Sequence, residues 1–164
     1  MTQRRLSHAP IDSPIGRLWV TVSPRGLVAI SRGDLPAADA PGPATLDRDA
    51  TAPALTELAA YFAGRLRTFS LALDTGDAAP FDVAVWLAAR QIPYGETVSY
   101  GELAAMAGYP RAARAVGGAM ARCPFSPVVP CHRVIHADGS IGGWGRDTWV
   151  KRWLLDLERS TTIG

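Results

Sequence analysis

The sequence has 164 residues, of which 48% are hydrophobic and 20% charged, and its formal net charge is +2. Such a chain folds as one domain or as two small ones that share an apolar core, which excludes a disordered protein, a fibrous repeat and a large modular enzyme. No apolar run reaches the roughly 18 residues that cross a bilayer, and the N-terminus lacks the apolar stretch of a signal peptide, so we expect a cytoplasmic protein without membrane contacts.

The N-terminal half is predicted to be a small mixed α/β unit. Residues 11–30 contain two β-rich runs separated by Ser23-Pro-Arg-Gly26, which predicts a hairpin. Residues 33–53 are rich in Pro, Ala, Gly and Asp and lack an apolar period, which indicates a surface segment. Helical spacing of apolar residues follows from Leu55 to Phe62, and residues 69–73 alternate like a further strand. We therefore expect a three-stranded sheet and one helix.

The C-terminal half is predicted to be mainly helical. A first helix is expected over 81–90. Ser99-Tyr-Gly-Glu102 has the form of a capping box, with Ser as N-cap and Glu three residues later, and it opens a helix through Met106. A short break at 108–110 leads into a further helix over 111–120. Two short helices joined in this way form a helix-turn-helix.

The second helix of this pair has an unusual surface. Residues 114–119 read Arg-Ala-Val-Gly-Gly-Ala, and each Gly lowers helix stability by about 1 kcal/mol relative to Ala. The sequence has no acidic residue between Glu102 and Asp138, so the charge around this helix is positive. Close helix packing explains the small residues. So does the approach of a nucleic-acid backbone, with Arg114 projecting into the base stack.

The segment Pro130-Cys-His-Arg133 is the candidate reactive centre. It follows the apolar run 125–129, so Cys131 is expected at the end of a buried segment and beside an imidazole. An inert packed thiol is the alternative. Two cysteines are too few for a disulfide scaffold. Because no CxxC or HxxxH spacing supports a metal site, we predict no metal and no cofactor.

A carboxylate on the last predicted helix completes the candidate centre. This helix runs from Trp149 to about Arg159, and Glu158 lies at the border of its apolar stripe. A carboxylate at that border needs a partner. His132 is a candidate, which would make Cys131 a nucleophile, His132 its base and Glu158 the group that orients the base. The alternative is a surface Glu158 that pairs with a nearby Arg.

Five stretches together resemble the O6-alkylguanine-DNA alkyltransferase family. They are Ser-Pro-Ile-Gly at 13–16, Ile-Pro-Tyr-Gly-Glu-Thr-Val-Ser-Tyr-Gly-Glu-Leu-Ala at 92–104, Ala-Arg-Ala-Val-Gly-Gly-Ala at 113–119, Pro-Cys-His-Arg-Val-Ile at 130–135 and Lys-Arg-Trp-Leu-Leu-Asp-Leu-Glu at 151–158. The resemblance implies an α+β fold, in which a ribonuclease-H-like domain over 1–78 packs on a helical DNA-binding and alkyl-transfer domain over 79–164.

The resemblance also implies a function and a partner. A monomer would bind the minor groove of double-stranded DNA that carries O6-alkylguanine, flip out the damaged base, and transfer its alkyl group to a cysteine once, as DNA repair. A lesion-binding module that does not react is an alternative, although relatives of that type replace the cysteine. A group transfer that involves a small molecule is another.

Roles for single residues follow from the resemblance. Cys131 would be the nucleophile, His132 the base acting through a water, and Glu158 the group that orients it. Tyr100 would donate a proton to the departing guanine and help to rotate the phosphate, and Arg114 would fill the gap left by the flipped base. The expected DNA contacts are Arg114, Tyr100, Ala115, Gly117, Gly118 and Arg133, and the expected substrate pocket comprises Trp144, Gly145, Val134 and Cys123.

The sequence departs from the family pattern at four places. Cys123 stands where the family has Asn, and it lacks the donors and acceptor of an amide. Residues 142–147 read Gly-Gly-Trp-Gly-Arg-Asp in place of Gly-Gly-Tyr-x-Gly-Gly, and 79–82 read Ala-Pro-Phe-Asp in place of Thr-x-Phe-Gln. The Cys ligands for the zinc site of some relatives are absent from the N-terminal half.

Overall fold

The computed structural model describes residues 5–33, 44–142 and 147–163, and the statements below refer to these residues. The chain divides into two units, Met1–Gly76 and Asp77–Gly164. Strands dominate the first unit and helices the second, so the architecture is mixed α+β. In the described part, no helix is both long and apolar enough to cross a membrane.

The first unit is built on a four-stranded sheet in the order β3-β2-β1-β4. Strands β1 (Leu6–Ser13), β2 (Gly16–Ser23) and β3 (Gly26–Arg32) run antiparallel in succession, and β4 (Ala44–Leu46) pairs with β1 in parallel. The prediction of three strands was therefore wrong. A tight turn between β1 and β2 divides the first β-rich run, and β4 lies within the stretch that we expected to be an irregular surface segment.

Residues 69–73 do not form the expected strand. They contribute an isolated parallel bridge between Leu27 and Leu73, which Leu27 N–H to Ala72 O (2.8 Å) and Asp74 N–H to Leu27 O (2.7 Å) support. Gly26 adopts φ +143°, and a Cβ at that position would lie 2.4 Å from Ala72 O. Because glycine has no Cβ, only glycine at position 26 allows these two segments of the chain to approach this closely.

Helix α1 (Arg48–Phe62) begins earlier than the apolar spacing predicts. Asp47 is its N-cap, and its Oδ1 accepts hydrogen bonds from the N–H groups of Asp49 and Ala50, each at 3.0 Å. This cap satisfies two of the free donors at the helix start, so the first turn needs no apolar residues to form. Leu58 is buried on the inner face of the helix.

The second unit contains four helices and a short parallel sheet among its described residues. The helices are α2 (Pro80–Ala89), α3 (Tyr100–Met106), α4 (Ala113–Ala121) and α5 (Thr148–Ile163), and the sheet pairs β5 (Val98–Ser99) with β6 (Val134–Ile135). The predicted capping box at the start of α3 is confirmed, because Ser99 Oγ accepts from Glu102 N–H (3.0 Å) and Glu102 Oε1 accepts from Ser99 N–H (3.1 Å).

Helix α4 packs against both α2 and α3. Trp86 of α2 donates its indole N–H to the carbonyl of Ala119 at 2.9 Å and meets Phe125 edge to face at 5.6 Å. The short β5–β6 pair then brings the start of α3 beside the segment that follows α4, because Val98 pairs with Val134. These contacts place Tyr100 and Cys131 in the same region of the unit.

Candidate active site

The Cys131 thiol lies at the start of a single 3-10 turn, Cys131–Arg133, at the end of a buried segment. Phe125 and Val129 are almost fully buried in that segment, and Cys131 N–H donates to Val129 O at 2.8 Å. The Cys131 side chain is 6% exposed. Interaction with the Cys123 thiol and burial raise the pKa of Cys131 well above its usual range, so the group rests as a thiol and needs a base.

The neighbouring imidazole faces a buried carboxylate. His132 Nε2 lies 2.5 Å from Glu158 Oε2, and both side chains are buried. Burial opposes ionisation of Glu158, but hydrogen bonds from His132 and Arg133 outweigh it and hold the pKa of Glu158 well below its usual range. Because an ionised carboxylate only accepts hydrogen bonds, Nε2 of His132 carries the proton and Nδ1 presents the lone pair of a base.

His132 is kept neutral at rest. Burial lowers the pKa of His132, while the hydrogen bond to Glu158 works in the opposite direction. A neutral imidazole with a fixed tautomer is ready to accept a proton, and Glu158 stabilises the imidazolium that results. The alternative of a surface Glu158 is wrong about its position, because the carboxylate is buried and binds the imidazole, but the pairing with an Arg that it expected is present, at Arg133.

Arg133 donates hydrogen bonds to this carboxylate and does not face solvent. Its Nε donates to Glu158 Oε1 at 2.8 Å, its Nη2 to Glu158 Oε2 at 2.9 Å, and its Nη1 to the carbonyl of Ile92 at 2.7 Å. The residue is 6% exposed. The expectation of a DNA contact at Arg133 does not fit this position, since each of its three guanidinium nitrogens donates to a buried acceptor. The forked geometry of Arg explains its preference here over Lys.

Lys151 is a site residue that sequence reasoning missed. It is fully buried on α5, and its Nζ donates to the carbonyl of Val134 at 2.6 Å. Burial lowers the pKa of Lys151 to about 8, whereas the Cys131 thiolate would favour its charged form. The same nitrogen lies 6.0 Å from the centre of the Tyr100 ring. The sequence offered one signal that could have drawn attention to this residue, since Lys151 is the single lysine in a sequence that otherwise uses arginine.

Tyr100 lies between α4 and the residues that follow β6. Its ring centre is 5.4 Å from that of His136, and a Cβ added at Gly142 would lie 3.6 Å from its hydroxyl. On the other side, a Cβ at Gly117 would lie 3.9 Å from Tyr100 Cδ1. Burial and the nearby Cys131 raise the pKa of Tyr100, so its phenol keeps its proton near neutral pH.

The exposed surface of α4 leaves room for another molecule to approach. Arg114 and Ala115 in its first turn are exposed, and Gly117 and Gly118 are partly exposed. A side chain at Gly117 would still find ordinary contact distance to Tyr100, so internal packing alone does not require glycine there. The open surface of the helix therefore combines one long cation with almost no side-chain bulk.

The predicted pocket residues are only partly described. Val134 is fully buried, and its carbonyl is used by Lys151. Cys123 is partly exposed, and its thiol contributes to the raised pKa of Cys131. Trp144 and Gly145 lie outside the described residues.

Asp82, one of the residues that departs from the family pattern, has a partner in the structure. Asp82 accepts two hydrogen bonds from Arg122, from Nε at 2.9 Å and from Nη2 at 2.8 Å, which ties α2 to the end of α4. The bond from Arg122 lowers the pKa of Asp82.

Across the described ranges, no group of three or more His, Cys, Asp or Glu side chains could hold a metal ion.

Comparison with known proteins identifies the family. Residues 6–75 match the model of the 6-O-methylguanine DNA methyltransferase ribonuclease-like domain, and residues 80–160 match that of the DNA binding domain of the same proteins. A methylated-DNA–protein-cysteine methyltransferase of Mycobacterium bovis is 44% identical over 157 residues, which cover 94% of this chain and 93% of the relative. The chain belongs to the 6-O-methylguanine DNA methyltransferase family.

Two further relatives are similar to this chain over most of its length. Mycobacterium tuberculosis OGT, in a crystal structure in complex with DNA, is 42% identical and superposes with a TM-score of 0.85 over 94% of each chain. A DNA base-flipping protein of Thermus thermophilus is 41% identical over 150 residues, which cover 90% of this chain and 97% of the relative. The mixed α+β architecture expected from the sequence is confirmed by these matches.

Proposed function

We propose that this chain repairs double-stranded DNA by transferring the alkyl group from O6 of a flipped-out alkylguanine to Cys131, once per molecule. The observation that carries the proposal is the buried series of Cys131, His132 and Glu158, in which a carboxylate fixes the tautomer of a base next to a thiol. The match to methylated-DNA–protein-cysteine methyltransferases over nearly the whole chain supports it.

Binding begins at α3 and α4, which we assign as a helix-turn-helix for the minor groove. The small, open surface at Ala115, Gly117 and Gly118 allows a phosphate backbone to come close. Arg114 projects from the first turn of α4 and would enter the base stack. Flipping costs a few kcal/mol of stacking and pairing, which an inserted side chain and a fitting pocket offset.

The chemical step is a displacement at a saturated carbon. His132 takes the proton of Cys131 through a water, and the ammonium of Lys151 favours the thiolate that forms. The sulfur–carbon bond forms as the bond from that carbon to O6 breaks, and Tyr100 delivers a proton to the departing guanine. One proton leaves the thiol and one reaches the base, so the charge balances. The thioether product has no easy leaving group, which limits each chain to one transfer.

The remaining assignments belong to the same proposal. The ribonuclease-H-like domain spans 1–78 and the DNA-binding and transfer domain spans 79–164. The protein acts as a monomer, because a single chain contains every group of the proposed mechanism. We assign it to the cytoplasm, where reducing conditions keep Cys123 and Cys131 as thiols.

The decisive experiment weighs the intact protein after incubation with a duplex that contains O6-methylguanine. We expect a gain of one methylene in the wild type and no gain in Cys131→Ser, with the amount of repaired duplex equal to the amount of protein. The second candidate is a module that binds the lesion without reacting; one relative is named a DNA base-flipping protein, and base flipping is a step that such a module would share. Tight binding with an unmodified thiol after long exposure would favour that candidate and contradict alkyl transfer.

A further inference from the structure

Arg122 is the C-cap of α4 and lies on the same face of the helix as Arg114. Arg114, Gly118 and Arg122 are spaced four residues apart, which places them in one row along the helix surface. A Cβ at Gly118 would lie 3.1 Å from Nη1 of Arg122, so the guanidinium occupies the space that a side chain at 118 would fill. This face of α4 therefore carries an exposed cation at each end of its small-residue surface.

A carboxylate from α2 fixes the orientation of the Arg122 guanidinium. Asp82 accepts from Nε of Arg122 at 2.9 Å and from Nη2 at 2.8 Å, which makes a forked pair. The Asp82 side chain is 11% exposed, whereas the Arg122 side chain is 59% exposed. The carboxylate therefore lies on the inner side of the pair and the guanidinium on the solvent side.

The pair with Asp82 uses only one edge of the guanidinium. Arg has five N–H donors, and Asp82 accepts from one on Nε and one on Nη2. Among the described residues, none accepts a hydrogen bond from Nη1 of Arg122. The remaining donors on Nη1 and Nη2 form an outer edge, and a guanidinium edge of this kind binds two oxygens of a phosphate at once. The chain from 103 to 137 offers no second carboxylate to that edge.

We propose that Asp82 and Arg122 form a phosphate clamp, in which Asp82 holds Arg122 over Gly118 and the outer guanidinium edge binds one phosphate of duplex DNA. Because Asp82 already orders the guanidinium, DNA binding immobilises less side-chain freedom than it would at a lone surface Arg. The charge of Asp82 repels a phosphate, but the guanidinium lies between the two. The phosphate clamp rests on the proposed function, because it requires duplex DNA along α4.

The salt dependence of duplex binding tests the phosphate clamp. Dissociation constants for an undamaged duplex are measured by fluorescence anisotropy over a series of salt concentrations. Each phosphate contact adds about 0.9 to the slope of log K against log salt concentration, so we expect Arg122→Ala to lower the slope by that amount. We also expect it to weaken binding about 2–10-fold, the effect of one net hydrogen bond. Arg152→Ala removes the same charge from an exposed position on α5 and should keep the wild-type slope. A wild-type slope in Arg122→Ala would overturn the proposal.

Two further variants separate the phosphate clamp from an ion pair that only ties α2 to α4. Asp82→Asn cannot accept from both nitrogens of Arg122, so we expect weaker DNA binding although a negative charge is lost. Asp77→Asn removes the same charge from an exposed position and should not weaken binding. Stronger binding by Asp82→Asn would overturn the positioning role of Asp82.

Arg122→Lys keeps the proposal testable where Arg122→Ala does not fold. Lys keeps the charge but has no fork, so we expect the wild-type salt slope and a loss of affinity. Wild-type affinity in Arg122→Lys would contradict binding through the guanidinium edge.

Neutral phosphates locate the contact directly. In a Cys131→Ser background, a duplex with O6-methylguanine sets the register without reaction, and a methylphosphonate replaces one backbone phosphate at a time. One position should weaken binding when Arg122 is present and have no effect after Arg122→Ala. If every position weakens both proteins alike, Arg122 contacts no phosphate and the proposal is overturned.

The outcomes separate the phosphate clamp from alkyl transfer. A wild type that binds duplex through Arg122 but never accepts a methyl group would contradict the proposed alkyl transfer alone. A wild type that accepts a methyl group, with a salt slope that Arg122→Ala leaves unchanged, would contradict the phosphate clamp alone. A wild type that does not bind duplex at all would contradict both.

Discussion

Replacing Glu158 with Gln should disable the base and loosen the fold at the same time. The carboxylate accepts hydrogen bonds from His132 Nε2, from Nε and Nη2 of Arg133 and from the N–H of Gly95. Gln has the same shape but offers one carbonyl oxygen and a donor group in place of the second oxygen. At least two of the four donors therefore lose an acceptor, and the buried guanidinium of Arg133 loses its counter-charge.

The size of the effect follows from burial. Removing one partner of a buried ion pair costs about 3–5 kcal/mol, because the remaining charge stays desolvated. That loss is a large share of the roughly 5–15 kcal/mol by which domains are stable, so a folded population persists but denatures earlier. The rate of methyl transfer should fall by about 10²–10⁴-fold, since the amide in Glu158→Gln no longer holds His132 in the tautomer that presents Nδ1 as a base.

The pH dependence of stability tests the same contact independently. Glu158 has a folded pKa well below its reference value of 4.5, so its contribution to stability is complete above about pH 4.5 and declines as the pH falls further. E158Q has no carboxylate to protonate at this position. The difference in free energy of unfolding between wild type and variant should therefore shrink below pH 4.5.

The assay combines urea denaturation with the single-turnover rate of Cys131 methylation, measured by intact mass. Asp156→Asn is the matched control, because Asp156 is exposed on the same helix and the substitution removes the same charge. We expect the control to resemble the wild type in both measurements. An E158Q protein that reacts at the wild-type rate would refute the role of Glu158 in fixing the base, and one with wild-type stability would refute the energetic reasoning about Arg133.

Three further predictions concern the surroundings of the site. Arg114→Ala should slow methyl transfer from duplex DNA much more than reaction with free O6-benzylguanine, with exposed Arg152→Ala as control; equal losses would show that Arg114 does not assist flipping. Because the pKa of Lys151 falls to about 8 from a reference of 10.5, its contribution to stability should rise between these pH values, and the unfolding free energy of wild type minus Lys151→Met should increase there. Arg122→Ala leaves the Asp82 carboxylate without its guanidinium, so it should destabilise the protein at pH 7 and less so below pH 4, as urea denaturation at both pH values would reveal.

Local sequence patterns sufficed where the chemistry is local. The capping box at Ser99 fixed the start of α3, because both of its hydrogen bonds lie within four residues. The apolar run before Cys131 predicted a buried thiol for a similar reason. The position of Glu158 at the edge of an apolar stripe indicated that its carboxylate needs a partner, and the resemblance to the family then implied that this partner is His132.

The errors occurred where the structure depends on distant partners. The strand β4 has three residues and exists by pairing with β1, so no periodicity within it could indicate a strand. Arg133 looks like a surface cation in sequence, and only the position of Glu158, 25 residues later, turns it inwards. Lys151 adjoins an apolar stripe as an exposed lysine would, and its burial depends on the carbonyl of Val134.

Locating the transferred group within the peptide 123–133 tests the central claim most directly. Wild-type protein reacted with one equivalent of methylated duplex would be digested and this peptide fragmented, so that Cys123 and Cys131 are distinguished. We predict one methyl group, on the sulfur of Cys131, and a Cys123 thiol that still reacts with maleimide. A methyl group on Cys123, or none on either sulfur, would contradict the assignment of Cys131 as the acceptor.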